Sequence, residues 1–340
     1  MLSKRRIAVY LTVLVLGLAL AWRYWPSWFS PPQPENPTVA APTKTPLRIA
    51  QWGQERYLIY LPLYVALDQG LLEQRGVAAT VQFTGNDDQT FSAVVAGRAD
   101  VGVGDPAFAA IAAEKGISSK VLATIVGRVA IWGLTKRSDL PVLNSAADLE
   151  GLRVGTFPEP STNYSLMKRL TLQQRAGRTT TIVQAPIGSQ LALLANGAAD
   201  IAMELEPGAS VAEEQGYRVV FSSPKQYGPF AFTGITTTDA ALRARGADIA
   251  ALIDALDEAV ALCHRDPRLA TTIAQKAFPR LSATVVSAAI TRMLAEETIP
   301  RTVRPDLAGW HQALSVRKEL GELHSLDGKD ALLVNDVKEP

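Results

Sequence analysis

TGNDDQTFSAVVAGRADVGVGDP, Thr84 to Pro106, and QAPIGSQLALLANGAADIAMELEP, Gln184 to Pro207, are two versions of one plan about a hundred residues apart. Each runs from a glycine-containing turn into an apolar helix, stops that helix at Gly97 or Gly197, and continues through Asp100 or Asp200 into a short apolar strand. Glycine suits the left-handed residue just past a helix end, because it has no Cβ to clash there. Outward from the two stretches, LRIAQWG (Leu47 to Gly53) and LRVGTFP (Leu152 to Pro158) open each unit as short buried strands. Strands at Ala79 to Phe83 and Thr180 to Gln184 precede the quoted turns. Helices alternating with short apolar strands predict parallel α/β sheets. Two such units predict two lobes with a cleft between them, joined near Gly133 to Arg137 and Pro229 to Gly234. Beyond Phe230 the chain turns helical, with Leu252, Leu256, Val260 and Cys263 at helical spacing, and this arm is expected to pack onto the first lobe.

Composition narrows the function. The chain has 340 residues and is 47% hydrophobic, enough for two real cores. Lysine plus arginine total 34 against 33 acidic residues, so there is no basic field to hold a nucleic-acid backbone. Cys263 is the only cysteine, which excludes an internal disulfide and a cysteine-cluster metal site. No cofactor is expected.

The N-terminus is a separate object. Lys4, Arg5 and Arg6 precede an apolar run from Ile7 to Trp22, a charge order that keeps this end cytoplasmic and exports the rest. Ala19-Leu20-Ala21 fits a cleavage site, whereas Trp22, Tyr24, Trp25 and Trp28 fit the aromatic border of an uncleaved transmembrane anchor. The expected division is an anchor or signal peptide at 1–25, a proline-rich tether at 26–46, a first lobe at 47–135 and 230–340, and a second lobe at 136–229.

Ligands of open α/β sheets bind beyond the carboxyl ends of the strands. Trp52, Asp87, Asp88, Asp105, Glu204 and Glu206 all follow strand ends, and each also has a plain structural role open to it. Trp52 suits either stacking on a flat ligand or the core, and Asp88 suits capping the helix that follows it. Asp105-Pro106 and Glu206-Pro207 are good helix starts. Ser161, Thr162 and Asn163 open a helix whose free N–H groups can take an anion, with Ser161 equally suited to be only its cap. Ionised carboxylates at the cleft would outweigh that helix terminus and favour a neutral or cationic ligand with N–H donors. Catalysis has little support: His264, His311 and His324 lie in the helical arm, and neither a Gly-x-Ser-x-Gly elbow nor a P-loop is present.

YLPLYVALDQGLLEQRGV (Tyr60 to Val77), VVAGRADVG (Val94 to Gly102), DLEGLRVG (Asp148 to Gly155) and Glu206-Pro207 together resemble a known family. It is that of the substrate-binding proteins of ABC importers for nitrate, sulfonate, taurine and thiamine precursors. The resemblance covers Leu47 to Leu323 and implies a type 2 periplasmic-binding fold whose two lobes close on a small solute. It also implies a monomer that delivers the solute to a membrane permease driven by a separate ATPase, held at the periplasmic face of the inner membrane by its N-terminal helix or released after cleavage. A sensor that signals occupancy to a membrane partner is the alternative. Leu205 stands where many members carry an aromatic residue before Glu-Pro, and the cysteine-rich iron motif of the family's enzymatic branch is missing.

Overall fold

A computed structural model describes residues 45–337. The expected anchor at 1–25 and nearly all of the tether lie outside them. Among the described residues no helix is long and apolar enough to cross a membrane.

The first unit runs β1 (Leu47–Gln51), α1 (Leu61–Asp68), β2 (Ala79–Phe83), α2 (Asp87–Val95), β3 (Val101–Gly104), α3 (Ala107–Ala113) and β4 (Lys120–Arg128). The second runs β5 (Trp132–Thr135), β6 (Arg153–Thr156), α4 (Thr162–Leu172), β7 (Thr181–Gln184), α5 (Gln190–Ala195), β8 (Ile201–Glu204), α6 (Gly208–Glu214) and β9 (Arg218–Ser222). A short α7 (Ser223–Tyr227) leads into β10 (Pro229–Thr237), and α8 (Asp239–Arg265), α9 (Pro267–Ala277), α10 (Ala283–Ala295) and α11 (Leu307–Glu319) form the arm.

The strands make two five-stranded sheets, ordered β2-β1-β3-β10-β4 and β7-β6-β8-β5-β9. Purely parallel sheets are therefore the wrong expectation. β1 is parallel to β2 and β3, as β6 is to β7 and β8, but β10 and β5 run antiparallel to both their neighbours. Each antiparallel strand arrives from the other unit and so enters its sheet from the opposite end. β5 belongs to the second sheet, so the chain crosses at residues 129–131, ahead of Trp132. β10 carries it back. Gly234 of β10 is needed for this fit: a Cβ there would stand 2.8 Å from the Ala123 carbonyl oxygen and 3.0 Å from Pro106.

The repeated sequence folds into repeated chemistry. The Arg48 N–H donates to Asp100 Oδ2 at 2.8 Å and its guanidinium to Asp100 Oδ1 and the Gly97 carbonyl. Arg153 does the same with Asp200 and Gly197, its backbone bond being 2.9 Å. Thr237 Oγ1 donates to the Asp100 carbonyl and Thr135 Oγ1 to that of Asp200, each at 2.7 Å. Gly97 and Gly197 take φ values of +68° and +72°, as their place after a helix requires.

The arm does not rest on the first lobe alone. α9 packs on α1 and α8, but α10 packs on α6 of the second unit, and α11 touches β10 and α3 on one side and α4 on the other. Trp132 Nε1 and Ser222 Oγ both donate to Glu296, which follows α10. The helical spacing in the sequence located the arm's apolar face without revealing that two partners share it.

Candidate functional site

The loops at the carboxyl ends of both sheets' parallel strands face one another across a narrow cavity of about 30 Å³. Trp52 follows β1, Asp87 begins α2, Asp105 follows β3, and Phe157 and Leu205 follow β6 and β8. Ser161, Thr162 and Asn163 enter at the start of α4. The two crossings add Ile131, and Phe232 with Thr233. Six of the nine residues singled out in the sequence thus line one cavity: Trp52, Asp87, Asp105, Ser161, Thr162 and Asn163.

Their roles are unequal. Trp52 is 6% exposed, with ring centroids 5.0 Å from Tyr57 and 6.4 Å from Tyr60, so it forms a packed wall. Ser161 caps α4, its Oγ accepting the Tyr164 N–H at 3.2 Å. Asn163 is buried, and its Nδ2 has no hydrogen-bond partner, a deficit worth about 1–3 kcal/mol. Asp105 Oδ1 accepts the Ala107 N–H at 2.8 Å, while Oδ2 accepts from Thr162 Oγ1 at 2.5 Å and Arg317 Nη2 at 2.6 Å. Asp87 Oδ1 accepts the Asp105 N–H at 2.8 Å. Burial, reinforced by the Asp105 carboxylate, pushes Asp87 up to about 7, against the opposing pull of that N–H and of Arg317.

Three candidates lie elsewhere. Asp88 is exposed on α2 and lines no part of the cavity. The cap of α2 is Asn86, whose side chain accepts the Gln89 N–H at 2.8 Å, so Asp88 is not the cap either. Glu206 is fully buried and bonded to Ser210 and Arg292. Glu204, 6% exposed, borders a solvent-open outer cleft of about 580 Å³ beyond Leu205. Burial pushes its carboxyl up to about 8, a rise only partly offset by the Leu205 N–H.

The premise that ionised carboxylates dominate the cleft therefore fails at several positions. Asp105 has Arg317, Glu206 has Arg292, and burial favours the neutral form of Glu204. Both arginines come from the arm, whose charges the strand-end rule does not reach. The rule also misses Tyr60 and Thr233, although both sit in conspicuous stretches, YLPLYVA and FAFTG. Burial raises the Tyr60 phenol well above its ordinary value, against the effect of its hydrogen bond with Thr233. Among the described residues no cluster of His, Cys, Asp and Glu is placed to hold a metal ion.

The family model described as NMT1/THI5 like matches residues 59–270. The chain belongs to that family. Among solved structures, this NMT1/THI5-like chain is similar to the periplasmic aliphatic sulphonate binding protein SsuA of Escherichia coli, at 20% identity and a TM-score of 0.64, over 84% of this chain and 90% of that one. The zinc-bound ligand-binding component of an ABC-type import system from Staphylococcus aureus matches with a TM-score of 0.68 at 14% identity, over 87% and 99%. The desulfurization enzyme DSZB matches at 15% identity and a TM-score of 0.60, over 85% and 97%. Likenesses this distant establish the two-sheet periplasmic-binding fold, which a binder and an enzyme share. None of the curated proteins matches the chain significantly.

Proposed function

We propose that this protein is the solute-binding component of an ABC importer, in which two lobes, one per sheet, enclose a small polar organic molecule and present it to a membrane permease powered by a separate ATPase. An N-terminal anchor would hold it at the periplasmic face of the inner membrane. The observation that carries the reading is the cavity itself, which takes residues from the strand ends of both sheets and holds a buried Asn163 whose Nδ2 has no partner. Its accessible space of about 30 Å³ holds no more than a water or two, so a solute enters only when the lobes part.

The lining suggests the solute's shape. Asn163 Nδ2 calls for a hydrogen-bond acceptor, as do the open N–H groups of the first turn of α4. Asp87, on the opposite side, calls for a donor. Trp52, Phe157, Leu205 and Phe232 favour an apolar body between the two ends. A molecule with one acceptor end and one amino or hydroxyl end fits this pattern better than a bare inorganic oxyanion, which offers nothing to Asp87.

A melting-temperature screen of the full chain against amines, amino-substituted heterocycles, sulfonates, nitrate and bicarbonate tests the reading. A true ligand at about a hundred times its Kd stabilises the fold by about 2.7 kcal/mol. The bound molecule should be recovered unchanged. Turnover of the hit, or saturation only by nitrate, would contradict the proposal.

A further inference from the structure

Arg317, on α11 of the arm, is 2% exposed, and its surroundings form a receptor for both terminal nitrogens of its guanidinium group. Nη2 donates to Asp105 Oδ2 at 2.6 Å and to Thr162 Oγ1 at 3.2 Å. Nη1 donates to Glu322 Oε2 at 2.5 Å and to Ser165 Oγ at 3.0 Å. The guanidinium carbon lies 5.6 Å from the centroid of the Phe108 ring. Two carboxylates, two hydroxyls and an aromatic face satisfy a planar cation that burial would otherwise penalise.

What matters is where those groups come from. Asp105 and Phe108 belong to the first lobe, following β3 and on α3, whereas Thr162 and Ser165 stand on α4 of the second. Glu322 belongs to the arm and also accepts from Ser165 Oγ, at 3.1 Å. Two turns away, Arg169 of α4 holds Glu319 of α11 through bonds of 2.6 and 2.8 Å. Arg317 therefore touches both lobes at once, directly behind Asp105 and Thr162, which line the cavity through which a solute would join them.

We propose that the floor of the cleft is a guanidinium-binding site spanning the two lobes, and that Arg317 fills it as a tethered cation that holds the cleft closed before a solute arrives. This rests on the two-lobed reading above but not on the identity of any solute. Loading then requires the Arg317 contacts to Thr162 and Ser165 to break, together with the direct Thr162–Asp105, Ser165–Glu322 and Arg169–Glu319 bonds, while the Arg317 pairs with Asp105 and Glu322 persist. The solute's own cationic groups, if it has any, are kept from Asp105 by a charge already in place.

The test uses the full chain with spin labels on Ser92→Cys and Ala192→Cys, exposed positions on α2 and α5. Cys263 is buried, so it does not compete for label. Without solute, the labelled parent is expected to give one short inter-lobe distance. Arg317→Ala should lengthen and broaden it, methylguanidinium chloride should restore it, and adding Asp105→Asn should abolish the restoration. An unchanged distance in Arg317→Ala, or no response to methylguanidinium, overturns the proposal. Should Arg317→Ala fold poorly, the pair Thr162→Val and Ser165→Ala keeps both ion pairs and should still lengthen the distance; no change there overturns it equally. Failure of every compound in the melting-temperature screen to bind the parent would break the importer reading while leaving this result standing.

Discussion

At the amino-terminal ends of their parallel strands the two lobes are chemical copies: arginine to aspartate, arginine to the glycine carbonyl, threonine to the aspartate carbonyl. At the carboxyl ends they part. The first lobe places Asp87 and Asp105 in the inner cavity, while the second retracts Glu206 into a buried pair and sets Glu204 beside the outer cleft, where burial favours its protonated form. Even the arginines that the arm supplies differ in effect. Arg292 serves the second lobe, bonding Glu206 and Glu213 and lying over Trp132 of β5, whereas Arg317 joins both lobes. The difference teaches that the base holds each sheet together by one shared solution, and that recognition is built where that solution ends.

The largest effect should come from the buried pair of the second lobe. Arg292→Met leaves Glu206 fully buried without its cation, and urea unfolding should show a loss of about 3 kcal/mol. Solute affinity should stay within a factor of two or so, because Glu206 does not line the inner cavity. A large loss of affinity with intact stability would make the two lobes' carboxylates alike after all.

A smaller effect is expected at the base. Asp100→Ala removes the acceptor of the Arg48 N–H and should cost about 2 kcal/mol, a figure already reduced because the 44%-exposed Arg48 side chain regains water. Asp200, whose side chain is more exposed than that of Asp100, should cost less when changed to alanine. The reverse order in thermal unfolding would break the pairing of the two bases.

A separate signature is read as a slope against pH. Glu204 binds its proton more tightly folded than unfolded, so its contribution is complete below about 4.5 and is lost as pH rises towards about 8. The slope is at most about 1.4 kcal/mol per pH unit. Glu204→Gln should flatten the fall in stability across that window. Parallel curves for parent and variant would mean that Glu204 is ionised in the folded state.

Much of this was legible in the sequence. Gly97, Gly197, Asp100 and Asp200 announced the duplication, and the strand-end rule brought six of nine candidates to one cavity. What stayed hidden depends on contacts distant in sequence. Arg317 meets Asp105 212 positions away, and Arg292 meets Glu206 86 positions away, so nothing local marks either carboxylate as already paired. The antiparallel entry of β5 and β10 was equally invisible, since an apolar strand reads the same in either direction.

Asn163 offers the most direct test of a solute bound between the lobes. Calorimetric titration of the screen's best hit into the parent and into Asn163→Ala should show one site per chain, with at least a tenfold loss of affinity in the variant, or about 1.4 kcal/mol. The empty variant should be no less stable than the parent by more than about 1 kcal/mol, because the amide it loses has an unsatisfied Nδ2. Equal affinity in parent and variant would place the solute outside the inner cavity and contradict the account.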